Sequence, residues 1–216
     1  FDKLYYVNPS QTVSDITPSG LTSGNISGAL NVGYGGGFYG TSGNYGRAPT
    51  SSGVYSEATT WALDTWGEYL LAVSSKDGKL YEWQGNPSTV AAQVTNAPVG
   101  NKSMVVTEER FVFCLGAGGN PRKVAWSDQE NNTVWSASAT NQAGDFELQT
   151  TGQIMCGLRM RGRTLILTDN DAHIATYSGA PFVYGFERVG TACGVASRKG
   201  AVAIDEGAFW MGKKGF

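Results

Sequence analysis

Four times along this chain a short apolar run, a turn, and a second short run ending in a large aromatic follow one another. Tyr69-Leu70-Leu71-Ala72-Val73-Ser74 passes through an Asp77-Gly78 turn to Leu80-Tyr81-Glu82-Trp83. Arg110-Phe111-Val112-Phe113-Cys114-Leu115 leads over Gly116 to Pro121 into Lys123-Val124-Ala125-Trp126. Arg163-Thr164-Leu165-Ile166-Leu167-Thr168 turns at Asp169-Asn170-Asp171 into His173-Ile174-Ala175-Thr176-Tyr177. Ala201-Val202-Ala203-Ile204 turns at Asp205-Glu206 into Gly207-Ala208-Phe209-Trp210-Met211. Each figure reads as an antiparallel hairpin, with turn residues supplying the reversal. The closing aromatics Trp83, Trp126, Tyr177 and Trp210 are 43, 51 and 33 residues apart. Repeats of this length, each holding hairpins too thin to bury their own faces, predict the blades of a β-propeller. A β-sandwich built of regular hairpins is the rival architecture.

The expected fold class is therefore all-β, with propeller-like blades of short antiparallel hairpins forming an incomplete propeller. The organisation predicted is a Gly/Ser/Tyr-rich N-terminal segment over residues 1–60, irregular or strand-containing, followed by blades over residues 61–216. The start at Phe1 and the stop at Phe216, just after a strand-like run, predict a piece of a longer chain. No stretch holds a long 3.6-residue period; residues 56–64 offer the best helical candidate, about two turns long.

Composition narrows the function classes. Charged residues are 16% of the chain, against roughly 25% in an average soluble domain, and the net charge is −2. That leaves no global basic surface for nucleic acid or anionic membrane. No apolar run approaches the roughly 20 residues that span a bilayer, which predicts a soluble chain without membrane contact. Cys114, Cys156 and Cys193 form neither a CxxC pair nor a disulfide framework. They read as small buried apolar residues.

Reactive constellations are scarce. His173 is the one histidine, and no GxSxG elbow accompanies it, so it reads as a hydrogen-bonded or surface residue of a strand and not as a catalytic base. The glycine run around Tyr34 lacks the preceding strand and following helix that a phosphate loop needs. Asp169, Asp171, Asp205 and Glu206 sit at turns, where carboxylates favour bonds to their own backbone. No catalytic, cofactor-binding or metal-ligating residue is assigned, and neither enzyme activity nor a cofactor is expected. Arg159, Arg161 and Arg163 alternate along what reads as one extended strand, which would carry all three guanidinium groups to one face. They are the candidate DNA-channel contacts.

A more specific signal lies in residues 126–216. Trp126-Ser127-Asp128-Gln129-Glu130, Trp135 and Ala139-Thr140-Asn141-Gln142-Ala143-Gly144-Asp145 are followed by Arg161-Gly162-Arg163-Thr164-Leu165-Ile166-Leu167-Thr168-Asp169. Gly179-Ala180-Pro181-Phe182-Val183-Tyr184-Gly185-Phe186 and Phe209-Trp210-Met211-Gly212-Lys213 continue in order. This string resembles the packaged-DNA-stabilisation proteins, or tail hub and nozzle proteins, of short-tailed bacteriophages. The resemblance implies a virion structural protein, made in the host cytoplasm and placed in the tail or at the head–tail junction. It implies a homo-oligomeric ring, six-fold in expectation, that closes the DNA exit channel after packaging. Its partners would be portal or adaptor subunits and other tail proteins, with transient contact to packaged DNA. The alternative is a carbohydrate-active or carbohydrate-binding propeller, using Asp169 and Asp171 as paired carboxylates and Tyr34, Tyr39 and Tyr45 as a sugar platform.

Overall fold

The computed structural model describes residues 3–25, 57–205, 207–212 and 215. The glycine-rich run with Tyr34, Tyr39 and Tyr45, together with Glu206, lies outside the described residues. Strands dominate, and they fall into units of four. β3 (Trp61–Trp66), β4 (Tyr69–Ser74), β5 (Leu80–Trp83) and β6 (Ala92–Gln93) form one antiparallel meander. β7 (Ser103–Val106), β8 (Val112–Leu115), β9 (Lys123–Trp126) and β10 (Gly144–Glu147) form the second. β11 (Ile154–Met160), β12 (Arg163–Thr168), β13 (Asp171–Gly179) and β14 (Val183–Thr191) form the third. Two-stranded sheets stand at the chain ends: β1 (Tyr5–Val7) with β2 (Val13–Asp15), and β15 (Ala201–Ile204) with β16 (Gly207–Trp210). These are propeller-like blades of short antiparallel hairpins.

The first strands of successive blades adjoin one another, β3 beside β7, β7 beside β11 and β11 beside β15. The sheets therefore stack face to face around a common inner edge. Side chains alternate across a strand, and in β8 that alternation sorts residues between two interfaces. Val112 and Cys114 pack with Leu71, Val73 and Leu80 of the first blade. Phe113 and Leu115 turn the other way, against Ile166, Ala175 and Tyr184 of the third. A strand buried on both faces reads as a continuous apolar run, which is why Phe111 to Leu115 carries no polar residue.

Rings fill the junction of the second and third blades. Tyr184 meets Phe113 and Phe111 edge-on at centroid distances of 4.7 and 5.2 Å, and Phe146 stacks on Phe186 at 4.6 Å. Edge-on and offset geometries are the favoured arrangements of ring quadrupoles. At the far end Leu165, Leu167 and Ala172 pack against the β15–β16 hairpin through Val195 and Trp210. At the near end Leu4 and Ile16 cover Ala72, Tyr81, Trp83 and Ala91 of the first blade.

Two expectations change. The first three predicted hairpins are the second and third strands of their blades, whereas Ala201 to Trp210 supplies a first and second strand. That difference of phase explains the short 33-residue step. Second strands end at Ser74, Leu115, Thr168 and Trp210, spacings of 41, 53 and 42. The helical candidate fails as well, because Trp61 to Asp64 belong to β3, where Trp61 pairs with Ser74 and Leu63 with Ala72. Partnership with β4 overrides a weak local preference. Among the described residues no helix is long and apolar enough to cross a membrane.

Truncating Phe113 to alanine leaves a void in the aromatic junction, and the expected loss is about 3–5 kcal/mol of unfolding free energy. Phe182, 82% exposed on the β13–β14 turn, is the control, and its alanine variant should stay within about 0.5 kcal/mol of the parent. Urea denaturation followed by tryptophan fluorescence distinguishes the two.

Candidate functional site

At one end of the stack the tips of the inner hairpins come together. Arg110, in the turn after β7, lies over the ring of Trp66 at the end of β3, 4.7 Å from its centroid. It also pairs with Glu130 at 3.2 Å. Glu108, from the same turn, accepts a hydrogen bond from the Gly162 N–H in the β11–β12 turn at 2.5 Å. Glu108, Arg159, Met160, Arg161, Ala203 and Asp205 line an open groove of about 540 Å³. Arg159 and Arg161 of the arginine trio lie in this mouth.

The trio does not occupy one strand. β11 ends at Met160 and β12 begins at Arg163, and the register sets Met160 opposite Arg163 and Arg159 opposite Thr164. Arg161 and Gly162 form the turn between them, Gly162 with a φ of 69°. Directly paired residues share a face, so Arg163 lies on the Met160 side and Arg159 on the opposite side. The Arg-x-Arg-x-Arg alternation was a strand pattern interrupted by a glycine that permits the reversal. All three side chains are exposed, and Glu108 and Asp205 share the groove with Arg159 and Arg161. The mouth is a ring of interleaved acids and bases, not a basic wall.

The opposite end is tied by Arg198, whose side chain is only 8% exposed. Its guanidinium donates to the Ile154 and Met155 carbonyls, at 3.1 and 3.3 Å, and pairs with Glu57 at 3.2 Å. One side chain thus links the entry to β3, the first turn of β11 and the approach to β15. Nothing in its sequence neighbourhood singles it out.

Two of the turn carboxylates, Asp169 and Asp171, are bonded to the scaffold. Asp169 Oδ1 accepts the Gln153 N–H at 2.8 Å. Asp171, 2% exposed, accepts from the Thr150 and Thr168 hydroxyls at 2.8 and 2.5 Å and faces His173 Nε2 at 3.2 Å. Burial opposes ionisation of Asp171, but the hydroxyl donors and His173 outweigh it and hold the carboxyl below its ordinary value. His173 is a hydrogen-bonded interior residue. Burial pushes the Cys156 thiol up to about 11 and raises that of Cys114 further, so neither is a thiolate at neutral pH. Among the described residues no cluster of three or more histidine, cysteine, aspartate or glutamate side chains is arranged to hold a metal ion.

The Trp126 string is likewise internal. Trp126 Nε1 donates to the Gln142 carbonyl at 2.8 Å, Asp128 accepts the Gln142 N–H at 2.8 Å, and the Tyr177 hydroxyl donates to the Gln142 side chain at 2.9 Å. Asn141 Oδ1 accepts the Ser138 and Ala143 N–H groups at 3.1 and 3.2 Å. The loop between β9 and β10 is folded onto its own blade and tied to the third blade through Tyr177. No protein-family model matches the chain, and no curated protein matches it.

Because the folded state holds Asp171 below the ordinary carboxylate value of 3.8, its charge contributes stability that is complete above that value. The contribution is lost as pH falls through the depressed folded value. The Asp171→Asn variant should be less stable than the parent at pH 7 and show a shallower loss of stability below about pH 4. Thermal melts across that range read both effects.

Proposed function

We propose that this chain is a non-enzymatic structural subunit of a virus particle, in the tail hub or nozzle of a short-tailed bacteriophage. In that role copies of it surround the DNA exit channel, hold the genome end after packaging, and carry portal or adaptor subunits on one side and tail components on the other. The observation that carries the reading is the residue 126–216 string, whose polar side chains at Trp126, Asp128, Asn141 and Gln142 are engaged in holding the second blade together, with Tyr177 tying it to the third. Residues spent this way build a shape and leave no reacting set.

The charge distribution suits the same role. A wall that lets duplex DNA slide needs weak phosphate contact, since each neutralised phosphate adds a salt-dependent attraction. Arg159 and Arg161 interleaved with Glu108 and Asp205 meet that requirement better than a continuous basic stripe. The carbohydrate reading is less favoured, because Asp171 is buried and accepts from Thr150 and Thr168 while Asp169 accepts the Gln153 N–H.

Mass spectrometry of purified particles should find this chain at a stoichiometry set by the tail symmetry, and a reconstruction should place it below the portal. Its absence from particles would remove the proposal. Duplex DNA binding by the isolated chain should be weak, with a log K against log salt slope no steeper than about −2.7 for three arginines. Replacing Arg159, Arg161 and Arg163 by glutamine should flatten that slope toward zero, read by fluorescence anisotropy.

A further inference from the structure

We infer that the pocket between the outer half of the first blade and the β9–β10 loop is a binding site for a primary ammonium group on an alkyl chain, with Glu82 as its counter-ion. The alternation of β5 leads to it. Leu80 and Glu82 point to the same side of the strand, and Glu82 is paired with Leu71 on β4 and with Ala92 on β6. On that side Leu71, Leu80 and Val94 pack with Met104, Val112 and Cys114 of the second blade. A carboxylate therefore takes a place in an inter-blade face whose neighbouring positions are apolar. Positions that break the local pattern of a well-packed fold are where functional sites are found.

The carboxylate is held but not neutralised. Oε1 accepts from the Gln84 side-chain amide at 3.0 Å, and Oε2 from the Asn132 side-chain amide at 2.5 Å. Asn132, 8% exposed, is fixed in turn, because its backbone carbonyl accepts the Trp135 indole N–H at 2.7 Å. The ion pairs of the described residues use Glu57, Glu130, Glu147 and aspartates, and none uses Glu82. Placing a half-buried carboxylate without a cation carries a desolvation cost that two neutral amides offset only in part. An acceptor needed only to anchor Asn132 could be uncharged, so the charge itself is the property the scaffold leaves unused.

Size and lining select the kind of cation. The pocket measures about 380 Å³, and Glu82 is the only charged residue among the described lining. Thr89, Thr95 and Thr133 are hydroxyl-bearing lining residues, while Val90 and Ala92 give an apolar wall. An ammonium group carries three donors on a compact charge, which one carboxylate oxygen and two neutral oxygens satisfy. A guanidinium fork instead wants both carboxylate oxygens together, and here each already takes an amide N–H. The apolar wall suits a methylene stem, which long cationic side chains bury while keeping the head solvated or paired. A lysine side chain of a partner protein and a free alkyl diamine share this chemistry. The inference stands apart from the virion reading and does not need it.

The test is an NMR titration of the isotopically labelled full chain at pH 7 and constant ionic strength, read at the side-chain amide resonances of Gln84 and Asn132. Lysine blocked at both backbone ends stands for a protein-borne side chain and cadaverine for a free diamine. Forms of each acetylated at the side-chain or terminal amines keep the stem and remove the charge. Saturable shifts with a millimolar Kd are expected for a charged probe, the tighter of the two naming the source, and none for the acetylated forms. Glu82→Gln should weaken the binding by about tenfold or more, with the circular dichroism spectrum unchanged. The acetylated probes read the charge requirement on the parent chain, whatever the variant does to the fold. No saturable shift with either charged probe, equal shifts with the acetylated forms, or undiminished binding in Glu82→Gln each overturns the inference.

Discussion

A four-stranded antiparallel sheet of five-residue strands has two faces and too little thickness to shield either, so its stability is decided by what lies against it. In this chain each blade's faces are closed by its neighbours. The sequence meets that demand with strands that are apolar on both sides: Val112 and Cys114 serve one interface while Phe113 and Leu115 serve the next. Fully burying one such side chain is worth about 1.5–3 kcal/mol, and the large rings are concentrated where the second and third blades meet. The low charge content follows from the same geometry, since little of a blade other than its strand ends is left for solvated groups.

Polar chemistry is accordingly pushed to the ends of the stack and to the loops. Thr150, Thr168, Asp171 and His173 assemble one buried network where the third blade begins. Its members come from the segment before β11, the end of β12 and the start of β13. Asp77 does comparable work in the first blade, accepting from the Thr22 N–H at 3.0 Å and the Tyr81 hydroxyl at 2.5 Å. In both places a carboxylate at the turn after the second strand ties that turn to a distant segment.

Strand period and turn chemistry made the hairpins legible: β4, β5, β9 and β12 match runs visible in the sequence to the residue. Phase was not legible, because a period of two marks a strand without saying which strand of a blade it is. Trp210 and Trp126 look alike, yet one closes a second strand and the other a third. The arginine trio misled for a related reason, since alternation describes a strand only while the chain stays extended and Gly162 reverses it. The Asp171 network and Arg198 depend on partners 21 and 141 residues away in sequence, at Thr150 and Glu57. No local pattern encodes such contacts. His173 was readable as a strand residue, hydrogen-bonded or on the surface, and its burial against Asp171 decides for the first.

Stacked units of this kind have no built-in stopping point, and arrays of them in general end in repeats whose outer face is polar. Here the near end is only partly treated in that way. β1–β2 covers the outer half of the first blade, and the exposed Lys3–Asp15 pair lies along its rim, but Tyr5, Val7 and Val13 still face outward. At the far end Val202, Ile204 and Phe209 do the same. Both two-stranded sheets carry the strand alternation of the interior out to the surface. The mouth charges at Glu108, Arg159, Arg161 and Asp205 lie at the strand ends, and Ile204 reaches the edge of the same groove, so the apolar side chains of the β15–β16 hairpin run up to the mixed charges of the inner opening.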